Sequence, residues 1–300
     1  MVVTRTDTLS ETPDRIRAAF ADAGVGGRLH ALDIDSGAGL GVDADESVPT
    51  ASVHKLCLLV ALHDRASNGE LDLTEPVDCP PQGRTPGPTG IAAMLDTARL
   101  SLRDLAYLMM AVSDNAAADL LLARVGLDAV NRTTARLGLD ATRAVHSFGA
   151  MLATVKEDAG PAGAGALADP HVVARLRALD PARTNHSTAR DMTRLLRAVW
   201  RDEACPPEHG AAIRRVMGLQ VWPHRLASGF PFDDVHVAGK TGSLPTLRNE
   251  VGVVEYPDGG RYAVAVFTRT AQTAGTLPAA DAVIGTAARI AVDALRAGRA

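Results

Sequence analysis

The stretch Ser52-Val53-His54-Lys55-Leu56-Cys57-Leu58-Leu59-Val60-Ala61-Leu62 is apolar on nearly every face once past its first turn. A helix of that composition over residues 53–62 belongs inside a protein rather than on its surface. Ser52 stands at its N-terminus, where free backbone N–H groups and the positive dipole end suit a developing negative charge. Lys55 follows three residues later, so hydroxyl and amine project from one helix face. The pair has the makings of a nucleophile and its base. Taken alone it is a common pattern, and a capped helix start accounts for it equally well.

Outward from this helix, Ser101 and Asp104 form a capping box, and Leu102, Leu105, Leu108, Met109 and Val112 make one apolar face that runs out at Ser113-Asp114-Asn115. Helices are expected at 116–125 and 128–137, closed by Gly126 and Gly138. Residues 149–169, rich in Ala, Gly and Pro, read as a long loop or flexible insertion. Helical patterning returns at 171–179, 188–200 and 207–217. Residues 235–241, 250–256 and 262–268 read as strands, with Pro257-Asp258-Gly259-Gly260 as a turn, and 278–296 as a closing helix. Upstream, Thr12-Pro13 opens a helix over 13–23. Residues 28–35 alternate as a strand that turns at Ser36-Gly37 into a second one.

Strands at both ends with helices between them predict an α/β (α+β) fold: one antiparallel sheet built from both termini, flanked by helices, with an all-helical lobe inserted. A single domain over 1–300 is expected, its sheet lobe at about 1–50 and 218–300 and its helical lobe at about 51–217.

At 300 residues, 46% hydrophobic, 22% charged and with a net charge of -4, the chain carries no electrostatic footprint for nucleic acid. No run approaches the length of a membrane span, and residues 1–20 mix charges where a secretory signal needs an apolar core. A monomer in the cytoplasm is the expectation. Cys57, Cys79 and Cys205 are too few and scattered for a disulfide framework or zinc cluster and read as structural thiols. The nine histidines form no metal-binding spacing; neither metal nor cofactor is expected, and His54 reads as a packing residue. Of 31 basic residues only Lys55, Lys156 and Lys240 are lysine. Against such an arginine bias, a retained lysine is a candidate for work that needs a titratable amine.

Two of those three lysines fall in an ordered set: Ser52-x-x-Lys55, then Ser113-Asp114-Asn115 at a helix junction, then Lys240-Thr241-Gly242 ending a late strand, where glycine permits close backbone approach. Each motif is weak, but the order is not. With Ser187-Thr-Ala-Arg-Asp-Met-Thr-Arg-Leu-Leu196 it resembles class A β-lactamases and the related penicillin-binding D-alanyl-D-alanine peptidases over nearly the whole chain. The resemblance implies a helical lobe against a sheet lobe with the site between, and attack by Ser52 on a carbonyl, with Lys55 helping to accept its proton. Ser113 would relay a proton to the leaving nitrogen, Asn115 would bind the substrate amide, and Lys240 would supply positive potential. Thr241 and Gly242 would line the substrate site, and the N–H groups of Ser52 and Ser243 would form the oxyanion hole. Arg248 would pair with a substrate carboxylate.

One expected feature is missing. Class A enzymes carry a Glu-x-x-x-Asn loop whose glutamate activates the deacylating water, and none of Glu157, Asp158, Asp169 or Asp180 stands in that pattern. The resemblance implies a small β-lactam as substrate, opened through a Ser52 acyl-enzyme, and the missing glutamate implies that its release is slow while also favouring other acyl substrates. A peptidase, esterase or acyltransferase on another acyl substrate, and a penicillin-binding protein without turnover, stay open beside it.

Overall fold

A computed structural model gives the structure over residues 5–298. Helix α1 (Arg5–Asp22) leads into the hairpin β1 (Val25–Asp33) and β2 (Gly39–Val42); β3 (Val48–Pro49) then delivers the chain to a 3-10 turn, Ala51–His54, and α2 (Lys55–Ser67). The middle comprises β4 (Pro76–Cys79), β5 (Ala98–Ser101), α3 (Leu102–Ala111), α4 (Asn115–Val125), α5 (Leu127–Arg136), α6 (Phe148–Ala159), α7 (Pro170–Val173), β6 (His186–Ser187), α8 (Ala189–Trp200) and α9 (Pro207–Met217). Strands β7 (His236–Leu244), β8 (Leu247–Glu255) and β9 (Arg261–Thr270) precede α10 (Pro278–Ala297).

The main sheet runs β2-β1-β9-β8-β7 with every pairing antiparallel, so the two ends of the chain build it together, as the strand pattern predicts. The period of two divides β9 between two cores. Tyr262, Val264 and Val266 pack with Ile16 and Phe20 of α1 and Ile284, Ala288 and Ala291 of α10, whereas Ala263, Ala265 and Phe267 join the larger core containing α2, α3, α4 and α8. Both sheet faces are thus covered by helices. Helix α2 is the axis of the larger core: Leu56 to Leu62 are each at most 1% exposed. Burying a Leu or Val side chain contributes about 1.5–3 kcal/mol, which explains why that stretch tolerates no polar face.

Four expectations change. Helix α1 begins at Arg5, not Pro13, and Pro13 lies inside it; losing one backbone donor did not end the helix. Residues 171–179 form only the single turn α7 and a 3-10 turn at Arg177–Leu179. Lys240-Thr241-Gly242 lies within β7, which continues to Leu244. The supposed loop after Gly149 is α6 followed by the 3-10 segment Gly160–Ala168. The reason is distant in sequence. Asp119 on α4 accepts from the N–H groups of Phe148 and Gly149 at 2.8 and 2.7 Å, and Ser147 Oγ accepts from Ala150 N at 3.1 Å. These acceptors satisfy donors that a helix start leaves without intrahelical partners.

Asp119 also accepts from Thr85 Oγ1 at 2.6 Å. Replacing it with alanine strands three half-buried donors at once, so Asp119→Ala should lower stability by about 1–3 kcal/mol. Urea unfolding followed by circular dichroism reads this as a lower midpoint; an unchanged midpoint would mean that α6 starts without its help.

Candidate active site

Ser52 occupies the 3-10 turn between β3 and α2, and the residue before it, Ala51, has φ of 49°. A non-glycine residue is costly there, and such strain persists only where the surroundings enforce it. The surroundings are β7. A Cβ on Gly242 would lie 2.7 Å from Thr50 O and 3.0 Å from Val53 N, so only glycine lets this strand close on the turn that carries Ser52.

Strand β7 is a sheet edge, and its N–H groups point outward at alternate residues. The outward N–H of Thr241 is taken by Gln220 Oε1 at 2.7 Å. Ser243, two residues on, shares that outward edge and lines the cleft with Ser52.

Opposite stands the α3–α4 junction. Asp114 caps α4, its Oδ1 accepting from Ala116 N at 2.9 Å and Ala117 N at 3.2 Å while Oδ2 accepts from Ile91 N at 2.6 Å. Ser113 itself has φ of 60°. The cap reading and the chemical reading of Ser-Asp-Asn therefore coexist: the aspartate holds the junction and its neighbours face the lysines.

Lys55 is fully buried, and its Nζ lies 2.5 Å from Ser113 O, 2.7 Å from Asn115 Oδ1 and 3.3 Å from Ser113 Oγ. Lys240, also fully buried, donates to Ser113 Oγ at 3.0 Å and to Thr241 O at 2.9 Å. One hydroxyl thus lies between two buried amines. Burial, and then the charge of Lys240, depress Lys55 well below the ordinary lysine range. Asp114 and Asp119 oppose that shift; burial likewise depresses Lys240, to about 7, with the Glu250 carboxylate opposing and Arg225 adding to it. Among the described residues no carboxylate hydrogen-bonds either amine.

Glu250 is a residue that the sequence reading passed over. It is 1% exposed, accepts from Gln220 Nε2 at 2.6 Å and from Leu226 N at 2.7 Å, and burial raises its pKa. Through Gln220 it steadies Thr241 on β7; through Leu226 it steadies the segment carrying Trp222, His224 and Arg225. Nothing in the sequence marked it, because it follows the polar pair Arg248-Asn249 in the same strand.

Ser52, Ser113, Asn115, Thr241 and Ser243 line one cleft of about 300 Å³, together with Thr89, Trp222, His224 and Arg225. Arg248 is not in that lining. It is 6% exposed and donates to Leu244 O, Leu247 O and Gly275 O, beside an adjoining cleft of about 570 Å³ that shares His224, Arg225 and Ser243. The guanidinium in the Ser52 cleft belongs to Arg225, held by Asp281 Oδ1 at 2.7 Å, by Gly242 O and Asn249 O, and by Ser243 Oγ at 2.8 Å. No spacing rule marks this arginine in the sequence, because it comes from a loop outside the three motifs.

The carboxylates considered for a water-activating role are engaged elsewhere. Glu157 and Asp158 bind Arg177, Asp169 caps α7, and Asp180 accepts from Ala182 N. Beside Lys55 lies an aromatic ring instead, the centroid of Phe148 being 4.8 Å from Nζ. His54 is buried with neither ring nitrogen hydrogen-bonded, and burial pushes its pKa down to about 3, which keeps it a neutral packing residue. Cys57, Cys79 and Cys205 are buried free thiols, and burial pushes the Cys57 thiol up to about 12, far from reactivity.

Known proteins share this architecture. Over 309 aligned residues the chain is 36% identical to the β-lactamase regulatory protein BlaB of Streptomyces cacaoi, covering 94% of this chain and 96% of that one. It is 27% identical to the β-lactamase of Streptomyces albus G, with 93% and 83% covered. The solved β-lactamase from Sphaerobacter thermophilus superposes with a TM-score of 0.78 at 26% identity, over 97% of this chain and 98% of that one. A model of the β-lactamase enzyme family matches residues 11–295. The chain belongs to the β-lactamase enzyme family.

Proposed function

We propose that this protein is a serine hydrolase acylated at Ser52 by β-lactams, and that it releases the acyl group slowly. The observation that carries the reading is the Ser113 hydroxyl held between Lys55 and Lys240 in the cleft that contains Ser52. A neutral Lys55 has two N–H bonds, matched by Ser113 O and Asn115 Oδ1, and one lone pair. That lone pair would take the Ser52 proton as Oγ bonds to the substrate carbonyl carbon. The negative oxygen would be met by the N–H groups of Ser52 and Ser243. As the C–N bond breaks, the ring nitrogen would gain a proton through Ser113 Oγ, which Lys240 keeps in place. Asn115 would hold the substrate amide, and Arg225, rather than Arg248, would pair with its carboxylate.

Hydrolysis of the acyl-enzyme needs a base on a water, and the apolar ring of Phe148 beside Lys55 supports slow release. A second reading has specific support. The 36% identical relative is named a regulatory protein, which favours retention of an acyl ligand as a signal over turnover. A peptidase, esterase or acyltransferase using the same Ser52 chemistry is distinguished by its substrate alone.

Intact-protein mass spectrometry after incubation with benzylpenicillin tests the proposal: one adduct per chain is expected, absent in Ser52→Ala. Lys55→Arg should slow acylation by about 10²-fold or more, since a guanidinium does not accept the proton, while Lys240→Arg should cost less than about tenfold. Equal losses would erase the division of roles, and an adduct on Ser52→Ala would end the reading.

Phe148→Glu puts a carboxylate beside Lys55 and should raise the deacylation rate by about tenfold or more. A burst with chromogenic cephalosporin that persists unchanged in this variant would show that release is limited elsewhere.

Glu250→Gln keeps the shape and removes the charge. Ionised Glu250 raises the Lys240 pKa, so without it Lys240 should lose its proton at lower pH. The alkaline limb of the acylation rate should therefore move toward acid, measured over pH 6–9; a limb unmoved or moved toward base contradicts the assigned role.

A further inference from the structure

A cavity larger than the Ser52 cleft, sharing no lining residue with it, lies at the other edge of the sheet. It measures about 790 Å³ and lies between the β1–β2 hairpin, the end of α5 and one face of α8. Its charge is lopsided: Arg136, Arg190, Arg194 and Arg197 line it, against the single carboxylate of Glu203.

Three of these arginines, Arg190, Arg194 and Arg197, stand at successive positions of one α8 face, Arg190 in the first turn and Arg197 in the last. Like charges at i, i+4 repel, and cations near a helix N-terminus oppose its dipole. Elsewhere in the fold such costs are offset by carboxylates, and two of the four arginines hydrogen-bond one. Arg190 binds Asp45 through Nε and NH2 at 2.6 and 3.0 Å, and Arg136 donates to Asp64 Oδ1 at 2.9 Å. The other two do not. Among the described residues Arg197 donates only to Ile34 O at 3.2 Å, and Arg194 has a looser ion pair with Asp191 Oδ1 at 3.6 Å. Asp191 already accepts from Ala141 N and Thr142 Oγ1, and Glu203 accepts from Arg201.

The wall behind them is built. His30 is 4% exposed; its Nε2 accepts from Arg190 NH1 at 3.0 Å, so its Nδ1 donates to Thr193 Oγ1 at 2.6 Å. Neutral His30 therefore fixes Arg190 without adding charge. Leu32 and Leu137 supply apolar surface, and the volume falls in the range of small-ligand sites.

We propose that this cavity binds a small organic phosphate with two or more negative charges, its anionic end on Arg194 and Arg197 and its remainder against Leu32 and Leu137. Guanidinium forks match phosphate oxygens in pairs, and a bound anion relieves the repulsion along α8. The site is independent of Ser52 chemistry and would serve as an effector or anchoring site.

Isothermal titration calorimetry of the intact protein at about 0.05 M salt, with inorganic pyrophosphate and with adenosine triphosphate as probes, tests it. Saturable one-to-one binding is expected, tighter for the nucleotide and weakening as salt rises. Arg194→Glu with Arg197→Glu should weaken both probes by at least about tenfold, and the milder Arg194→Gln, Arg197→Gln pair should do so partially. Ser52 acylation should proceed normally in both double variants, which also reports that they are folded. Absence of saturable binding, unchanged affinity in either double variant, or tighter binding of a DNA duplex than of either probe would each overturn the proposal.

Discussion

The closeness of β7 to the turn at Ser52 is the constraint on which the site depends. At Gly242 the strand passes so near Thr50 O and Val53 N that no side chain fits between them. That approach brings the edge of a sheet formed by both chain ends against the helical core around α2. It lines up Ser52, Ser243 and Thr241 in one cleft, and it carries Lys240 to the same hydroxyl that Lys55 reaches. Ala51 and Ser113, both with positive φ, mark where the chain on either side bends to accept this geometry.

Burying two amines around one hydroxyl sets the electrostatics. Two ammonium groups that close, and out of water, are too costly to coexist fully charged, so burial favours an uncharged Lys55. Each amine also has its own carboxylates at a distance, Asp114 and Asp119 for Lys55 and Glu250 for Lys240, the last tied through Gln220 and Leu226 to both walls of the cleft. Identical side chains thus acquire different proton affinities from their surroundings. That difference suits the division of roles proposed for the two lysines.

The relatives of this chain include a β-lactamase and a protein named for regulation. Two features of this chain lie outside its three motifs, the Phe148 ring packed beside Lys55 and the arginine-lined cavity at the opposite sheet edge. Both are reached from elements whose positions depend on distant partners: α6 on Asp119, and the α8 arginines on the β1–β2 hairpin.

The sequence alone determined the strand and helix order, the buried character of α2 and the three ordered motifs, because alternation, helical periodicity and spacing are local properties. The arginine bias even singled out Lys55 and Lys240. It did not determine α6, whose start is capped by a carboxylate from α4, nor the continuation of β7 past Gly242, which its antiparallel pairing with β8 sustains. It assigned the carboxylate-binding role to Arg248 because that residue stands near the third motif. The tertiary structure puts Arg248 beside the adjoining cleft, held by three carbonyls, and brings Arg225 into the Ser52 cleft from another loop. Glu250, Gln220 and Phe148 were equally silent in the sequence. Hydrogen bonds and ring contacts between residues far apart in the chain leave no spacing to read, so their partners are decided by packing.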